Sequence, residues 1–446
     1  MYEVKKKLLV KYLKTKDVLK QNEMPLAQRK DYEMNWFEKP ASKTWYNIFL
    51  TIVKNLKGEM IIKYFKNIFI IWIVITIGVS QTYFPPYGDW ERKQAAEVGM
   101  SESKLNRAIQ FAIKSESAGS RDLKEYIKAT LTKEPHGEII GPTKPRGDMT
   151  GLIIKNGYIV AEWGDINRVD MTFSISKTYL STVVGLAHDK GYIRDVHETV
   201  GSYMSTDHFV SDHNSKITWD HLLRQTSHWQ GTLWDKPDWA DRPPKDIPWT
   251  ELQNQPLYEP GTFWKYNDVR VNLLALSALH VWRRPLPQIL KKYIMDPIGA
   301  SNTWRWHGYT NSWVLLDGQM MQSVSGGGHW GGGMWISAMD HARFGYLYLQ
   351  NGKWNGKQLI SENWIQMARK PTVPMKGYGY MNWFLNANRD GTKKSIPSAP
   401  ETAVTFRGAG SNIIYIDWEN DLLVVVRWIN GQHFNEFIER LLKSKQ

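Results

Sequence analysis

The 446-residue chain contains no cysteine, which excludes disulfides, thiolate catalysis and cysteine-based zinc sites together. It has no Gly-x-x-x-x-Gly-Lys-Ser/Thr loop, and no Gly-x-Gly-x-x-Gly opens a helix after a strand, so neither nucleotide fingerprint is present and no cofactor is expected. There is no zinc-finger spacing, RNP-like strand or lysine-rich recognition helix, and nucleic acid is not an expected partner. The histidines, His228, His307 and His329 among them, lack ligand spacing and a neighbouring acidic run, so no metal site is expected.

What is present begins with charge. The net charge is +13, yet residues 1–66 hold fifteen Lys or Arg against seven Asp or Glu, so most of the excess is N-terminal. One long uncharged run follows, residues 67–84, centred on Ile68–Ser80, with Lys54, Lys57, Lys63 and Lys66 before it and Asp89 and Glu91 after it. Eighteen residues lie at the short end of a bilayer-crossing helix, and the lysine asymmetry places the N-terminus inside the cytoplasm. The expectation is a transmembrane helix or signal-anchor at 67–84, with the remainder held outside the cytoplasm, periplasmic or extracellular. If translation starts at Met60, the same run reads as a cleavable signal and the remainder is secreted. A buried core helix is the competing reading. Residues 1–66 form a basic cytoplasmic segment, 85–146 a helical linker and 147–446 the main domain.

An apolar fraction of 42% supports a substantial core. Asn156-Gly157 between two apolar runs predicts a hairpin, and Asn412–Trp418 with Leu422–Trp428 predicts another at the far end of the chain. These distant segments can pair in one antiparallel sheet. Between them lie helical patterns starting near Trp219, Val271, Ala338 and Asn363, with Thr218 and Ser361 as caps. The fold class expected is α+β: an antiparallel sheet flanked by helices, with a mainly helical lobe and a cleft where the two meet.

The chemistry centres on Ser174-Ile-Ser-Lys177. Three residues apart on a helix, an amine and a hydroxyl share a face, so Lys177 can activate Ser174. Tyr266, behind a Pro-Gly turn, can relay a proton with Lys177, and Asp268 can hold the amine or orient substrate. Glycine is dense in Ser325–Met334 and in Phe406–Asn412. An exposed N–H at Gly408, Ala409 or Gly410 can complete an oxyanion site with the N–H of Ser174. His228, Trp229, His329 and Trp330 are candidates for the substrate pocket, among tryptophans that favour an apolar or stacking ligand.

Taken in order and spacing, Ser174-x-x-Lys177, Tyr266-Asn-Asp268 and the glycine-rich approach to the late strand resemble the serine hydrolases related to class C β-lactamases and penicillin-binding proteins. The likeness extends over about Gly147 to Asn430 and is nearest to the carboxylesterase and 6-aminohexanoate-dimer hydrolase branch. The resemblance implies a β-lactamase/transpeptidase-like fold and a Ser-Lys-Tyr acyl-enzyme mechanism on a small ester or amide. Two departures stand out: Asp268 replaces the usual Asn, and Arg407-Gly-Ala-Gly410 replaces Lys-Thr-Gly or His-x-Gly. Arg407 can orient a substrate carboxylate if it faces the cleft. A β-lactamase or DD-peptidase, or a membrane-tethered binding protein without turnover, are the alternative readings.

Overall fold

The computed structural model describes residues 82–131, 133–384, 394 and 396–446. Residues 1–66 and 67–81 lie outside the described residues. The expected span at 67–84 is corrected at the part that is described. Thr82–Phe84 are not helical. Tyr83 stacks on Tyr158 at 4.6 Å between ring centroids, and Phe84 packs on Tyr346 and Trp354. These aromatic rings are seated on a protein core. Among the described residues no helix is long and apolar enough to cross a membrane. The membrane-anchored topology, the membrane as partner and the localisation drawn from them therefore have no structural support.

In chain order the helices are α1 (Glu102–Lys114), α2 (Leu123–Thr130), α3 (Ser176–Asp189), α4 (Trp219–Leu223), α5 (Asp268–Trp282), α6 (Leu286–Leu290), α7 (Ala338–Leu349), α8 (Glu362–Ala368) and α9 (Phe434–Leu442). The strands are β1 (Thr150–Lys155), β2 (Tyr158–Trp163), β3 (Asp170–Met171), β4 (Thr232–Leu233), β5 (Lys236–Pro237), β6 (Arg305–Leu316), β7 (Gln319–Val324) and β8 (Gly333–Ile336). They continue with β9 (Lys353–Trp354), β10 (Lys357–Gln358), β11 (Trp383–Phe384), β12 (Val404–Gly408), β13 (Asn412–Asp417) and β14 (Leu422–Arg427).

The principal sheet has the order β11-β12-β13-β14-β1-β2 and its described pairs are antiparallel. Asn156 and Gly157 both take positive φ, 54° and 86°, as a type I′ hairpin requires. The first and last hairpins join where β1 meets β14, with Leu152 opposite Val425. Side-chain alternation sorts the strands between two apolar layers. Leu152, Ile154, Ile414, Ile416, Leu423 and Val425 face the larger core, which also holds Phe344 and Leu347 of α7. Ile153, Ile413, Tyr415, Leu422, Val424 and Val426 face the other layer, with Leu105 and Ala108 of α1 and Phe437 and Ile438 of α9. The sheet is thus covered on both faces, which explains why β13 and β14 are buried at every position.

The helical lobe is built around α3 and α5. Both are buried along nearly their whole length, since the larger core surrounds them. The start of the 85–146 segment forms a 3₁₀ turn at Ala95–Val98 and then α1, separated at Gly99, whose φ of 73° ends the first piece. The small sheet β3-β8-β6-β7 brings Gly333–Ile336 beside Met171, immediately before the Ser174 turn. Buried Arg427 ties these layers: its guanidinium donates to the carbonyls of Ile336 and Met171 and to Asn412 Oδ1. That is why the Ser174 segment sits at the junction of sheet and lobe.

Candidate active site

Ser174 occupies a 3₁₀ turn, Phe173–Ile175, that runs directly into α3. Phe173 takes φ 49°, a region that a bulky residue adopts only when its surroundings enforce it. Ser176 supplies part of that enforcement: its hydroxyl donates to the Phe173 carbonyl at 2.6 Å and accepts the Met334 N–H at 2.8 Å. Tyr126 and Trp428 rings flank Phe173. The strained turn leaves Ser174 on the wall of a cavity of about 270 Å³, lined also by Arg242, Tyr266, Trp383, Arg407, Gly408 and Ala409.

Lys177 Nζ donates to Ser174 Oγ at 2.9 Å and to Asp268 Oδ1 at 2.8 Å. The Lys177 side chain is 1% exposed and that of Asp268 is fully buried. Asp268 opens α5, whose cap Asn267 accepts the Arg270 N–H and is itself held by Gln225. Burial alone raises a carboxyl pKa, but the Lys177 and Arg242 charges outweigh it and hold Asp268 well below the usual carboxylate range. Lys177 Nζ stands 4.7 Å from the centroid of the Tyr266 ring, and the Arg242 guanidinium 4.9 Å from it. Tyr266 in turn stacks on Trp383 at 5.7 Å.

Gly408 approaches Ser174 from the sheet. A Cβ there would lie 2.1 Å from the Thr172 carbonyl oxygen and 3.3 Å from the Ser174 nitrogen, so only glycine fits. Arg407 lines the cavity, with its Nε bonded to Thr405 Oγ1 at 2.7 Å; desolvation lowers its pKa to about 10. Gly410 is directed elsewhere, because its N–H donates to the Tyr126 hydroxyl at 3.0 Å.

The four pocket candidates do not line the cavity. Trp229 is buried with its indole N–H on the His208 carbonyl, and Trp330 is fully buried. His228 accepts the Tyr258 N–H and packs on Tyr258 and Phe263; burial drives its pKa to about 3, so the ring is neutral. His329 stands one step behind the cavity, bonded to Arg242.

Sequence reasoning does not reach Arg242, Glu134 or Trp383. Arg242 Nη1 binds Asp268 Oδ2 at 2.8 Å and also Asp241, and its Nη2 lies 2.9 Å from His329 Nδ1. The acidic neighbours that His329 lacks along the chain are supplied in space by Glu134 and Asp241. A guanidinium can only donate, so His329 Nδ1 accepts and the ring proton is on Nε2. Nε2 then donates to Glu134 Oε1 at 2.5 Å. Both ring nitrogens carry hydrogen bonds, so these groups form a relay of donors and acceptors.

A serine beside the left-handed Phe173, with an amine at hydrogen-bond distance and set between an antiparallel sheet and a helical lobe, fits a hydrolase of the β-lactamase and esterase superfamily. The sequence profile of the Beta-lactamase family matches residues 167–443, and the chain belongs to that family. No curated protein sequence matches the chain. Among solved structures it is similar to EstCE1, a hydrolase with promiscuous acyltransferase activity, at 15% identity and a TM-score of 0.51, covering 76% of this chain and 98% of that one. It is also similar to a family VIII carboxylesterase at 15% identity and a TM-score of 0.50, covering 78% and 99%. A β-lactamase from Mycobacterium bovis matches at 17% identity and a TM-score of 0.47, covering 67% and 95%.

Proposed function

We propose that the protein is a serine hydrolase that cleaves a small ester or amide through an acyl-enzyme on Ser174. The observation that carries this reading is the 2.9 Å bond between Lys177 Nζ and Ser174 Oγ at a cavity wall. In its amine form Lys177 takes the hydroxyl proton as Oγ bonds to the substrate carbonyl carbon. Negative charge then builds on the carbonyl oxygen between the N–H groups of Ser174 and Ala409, beside the close approach of Gly408. The proton passes from Lys177, by way of the Tyr266 phenol, to the leaving oxygen or nitrogen as its bond to the acyl carbon breaks. Water attacks the acyl-enzyme with the same groups receiving its proton, and the acid and the Ser174 hydroxyl are released. Arg407 orients the substrate from β12, beside Gly408. The aromatic wall of Tyr266 and Trp383, together with an arginine where relatives commonly carry Lys or His, favours the carboxylesterase-like branch over β-lactam hydrolysis.

The test is turnover of p-nitrophenyl butyrate by the full chain and by Ser174→Ala. The variant is expected to lose activity by on the order of 10⁵-fold, to resist labelling by a fluorophosphonate and to keep its near-UV circular dichroism. Retained turnover with retained labelling would remove Ser174 from the mechanism.

A further inference from the structure

Glu134 lies in the segment after α2, ahead of the residues that match the family, and no reading of the sequence gives it chemistry. In the fold its carboxylate grips Arg242 from two directions. Oε2 accepts the Arg242 backbone N–H at 2.9 Å, and Oε1 accepts the His329 Nε2–H at 2.5 Å. His329 passes that hold on, because its Nδ1 takes the Arg242 guanidinium at 2.9 Å. Arg242 needs holding: its φ is 50°, a left-handed backbone that L side chains rarely adopt. The guanidinium then reaches Asp268 Oδ2 while Lys177 takes Oδ1.

We propose that Glu134 is a positioning residue for the hydrolytic site, fixing Arg242 at backbone and side chain so that Arg242 divides the Asp268 carboxylate with Lys177. This rests on the Ser174 hydrolase reading. With Arg242 fixed, only one oxygen of Asp268 bears on Lys177, and the amine is aimed at Ser174. With Arg242 loose, both oxygens are free to draw Lys177 away from Ser174. The effect falls on the chemical step, since Glu134 is separated from the cavity by Arg242 and touches no substrate.

The experiment measures kcat and KM for p-nitrophenyl butyrate with the full chain and with Glu134→Gln, Arg242→Lys and Glu138→Gln. Glutamine presents one acceptor where two are used, so Glu134→Gln is expected to lower kcat about thirtyfold with KM within about twofold. An ammonium cannot span His329 and Asp268 together, so Arg242→Lys is expected to lower kcat by a similar factor. Glu138, four residues from Glu134, only pairs with Lys236. Glu138→Gln perturbs the same loop and is expected to leave kcat unchanged. A Glu134→Gln kcat within twofold of the parent, or an equal fall in Glu138→Gln, would overturn the proposal while leaving the hydrolase reading intact. If Glu134→Gln does not fold, Arg242→Lys decides alone: a parental kcat overturns the proposal and a tenfold or greater fall at constant KM supports it. Activity surviving in Ser174→Ala would instead remove the reading beneath it.

Discussion

The two glycine-rich runs look alike in sequence and serve the same serine from opposite sides. Ser325–Met334 lies behind the Lys177–Asp268 pair. A Cβ on Gly327 would fall 1.6 Å from Asp268 Oδ1 and 2.2 Å from Lys177 Nζ. Gly327 has no left-handed φ, so what it provides is room. Phe406–Asn412 lies in front: Gly408 clears the Thr172 carbonyl and the Ser174 nitrogen, while Gly410 takes φ 71° to turn the chain into β13. One run leaves space for a buried ion pair and the other for backbone beside Ser174. Glycine density therefore marks the site in both places, for different physical reasons.

Gly327→Ala is expected to have the greatest effect on turnover. Its methyl group would compete with both atoms of the ion pair, so Lys177 loses its position at Ser174. The expected fall in kcat is on the order of 10³-fold, the scale of a lost general base, with substrate KM changed little. Steady-state kinetics on p-nitrophenyl butyrate check it. Parental activity would show that the pair can relocate without penalty. Gly408→Ala should follow with a loss of roughly 10²-fold, the scale of a disturbed oxyanion donor. Its Cβ meets backbone and not a flexible chain end, so the strand must shift. Here the rate of acyl-enzyme formation in a stopped-flow burst is the measurement, because the proposed mechanism forms its oxyanion in that step.

Much of the architecture is legible in the residues. Asn156-Gly157 dictates its turn through positive φ, and the β13–β14 hairpin and the Ala338–Leu349 helix follow from period. The Ser174–Lys177 proximity follows from helical spacing, although Ser174 lies in a 3₁₀ turn and not in α3 itself. The apolar run near the N-terminus shows where composition misleads: the rings of Tyr83 and Phe84 satisfy a protein core as readily as a lipid interface. Arg242 and Glu134 are illegible for another reason. Arg242 meets His329 and Glu134 across 87 and 108 positions of chain, and no periodicity connects them. Asp241-Arg242 is an adjacent charge pair, but Asp235-Lys236 and Lys245-Asp246 flank it in the same stretch, so nothing local singles it out. Trp229 and Trp330 illustrate the converse, since large aromatics near a cleft in sequence are more readily consumed by the core.

Tyr126 bounds how far along the second run the proposed oxyanion site extends. The Gly410 N–H donates to the Tyr126 hydroxyl, and Tyr126 belongs to α2. Tyr126→Phe removes that acceptor, keeps the ring against Phe173 and leaves the Gly408 approach untouched. The expected cost is about 1 kcal/mol of stability, read as a lower urea midpoint, the usual net worth of one hydrogen bond. The rate should change by less than about threefold, because an N–H held by a tyrosine on a neighbouring helix is not aimed at the substrate oxygen. A loss comparable to that of Gly408→Ala, with an unchanged urea midpoint, would mean that Gly410 also serves the oxyanion and that the front run acts as a whole.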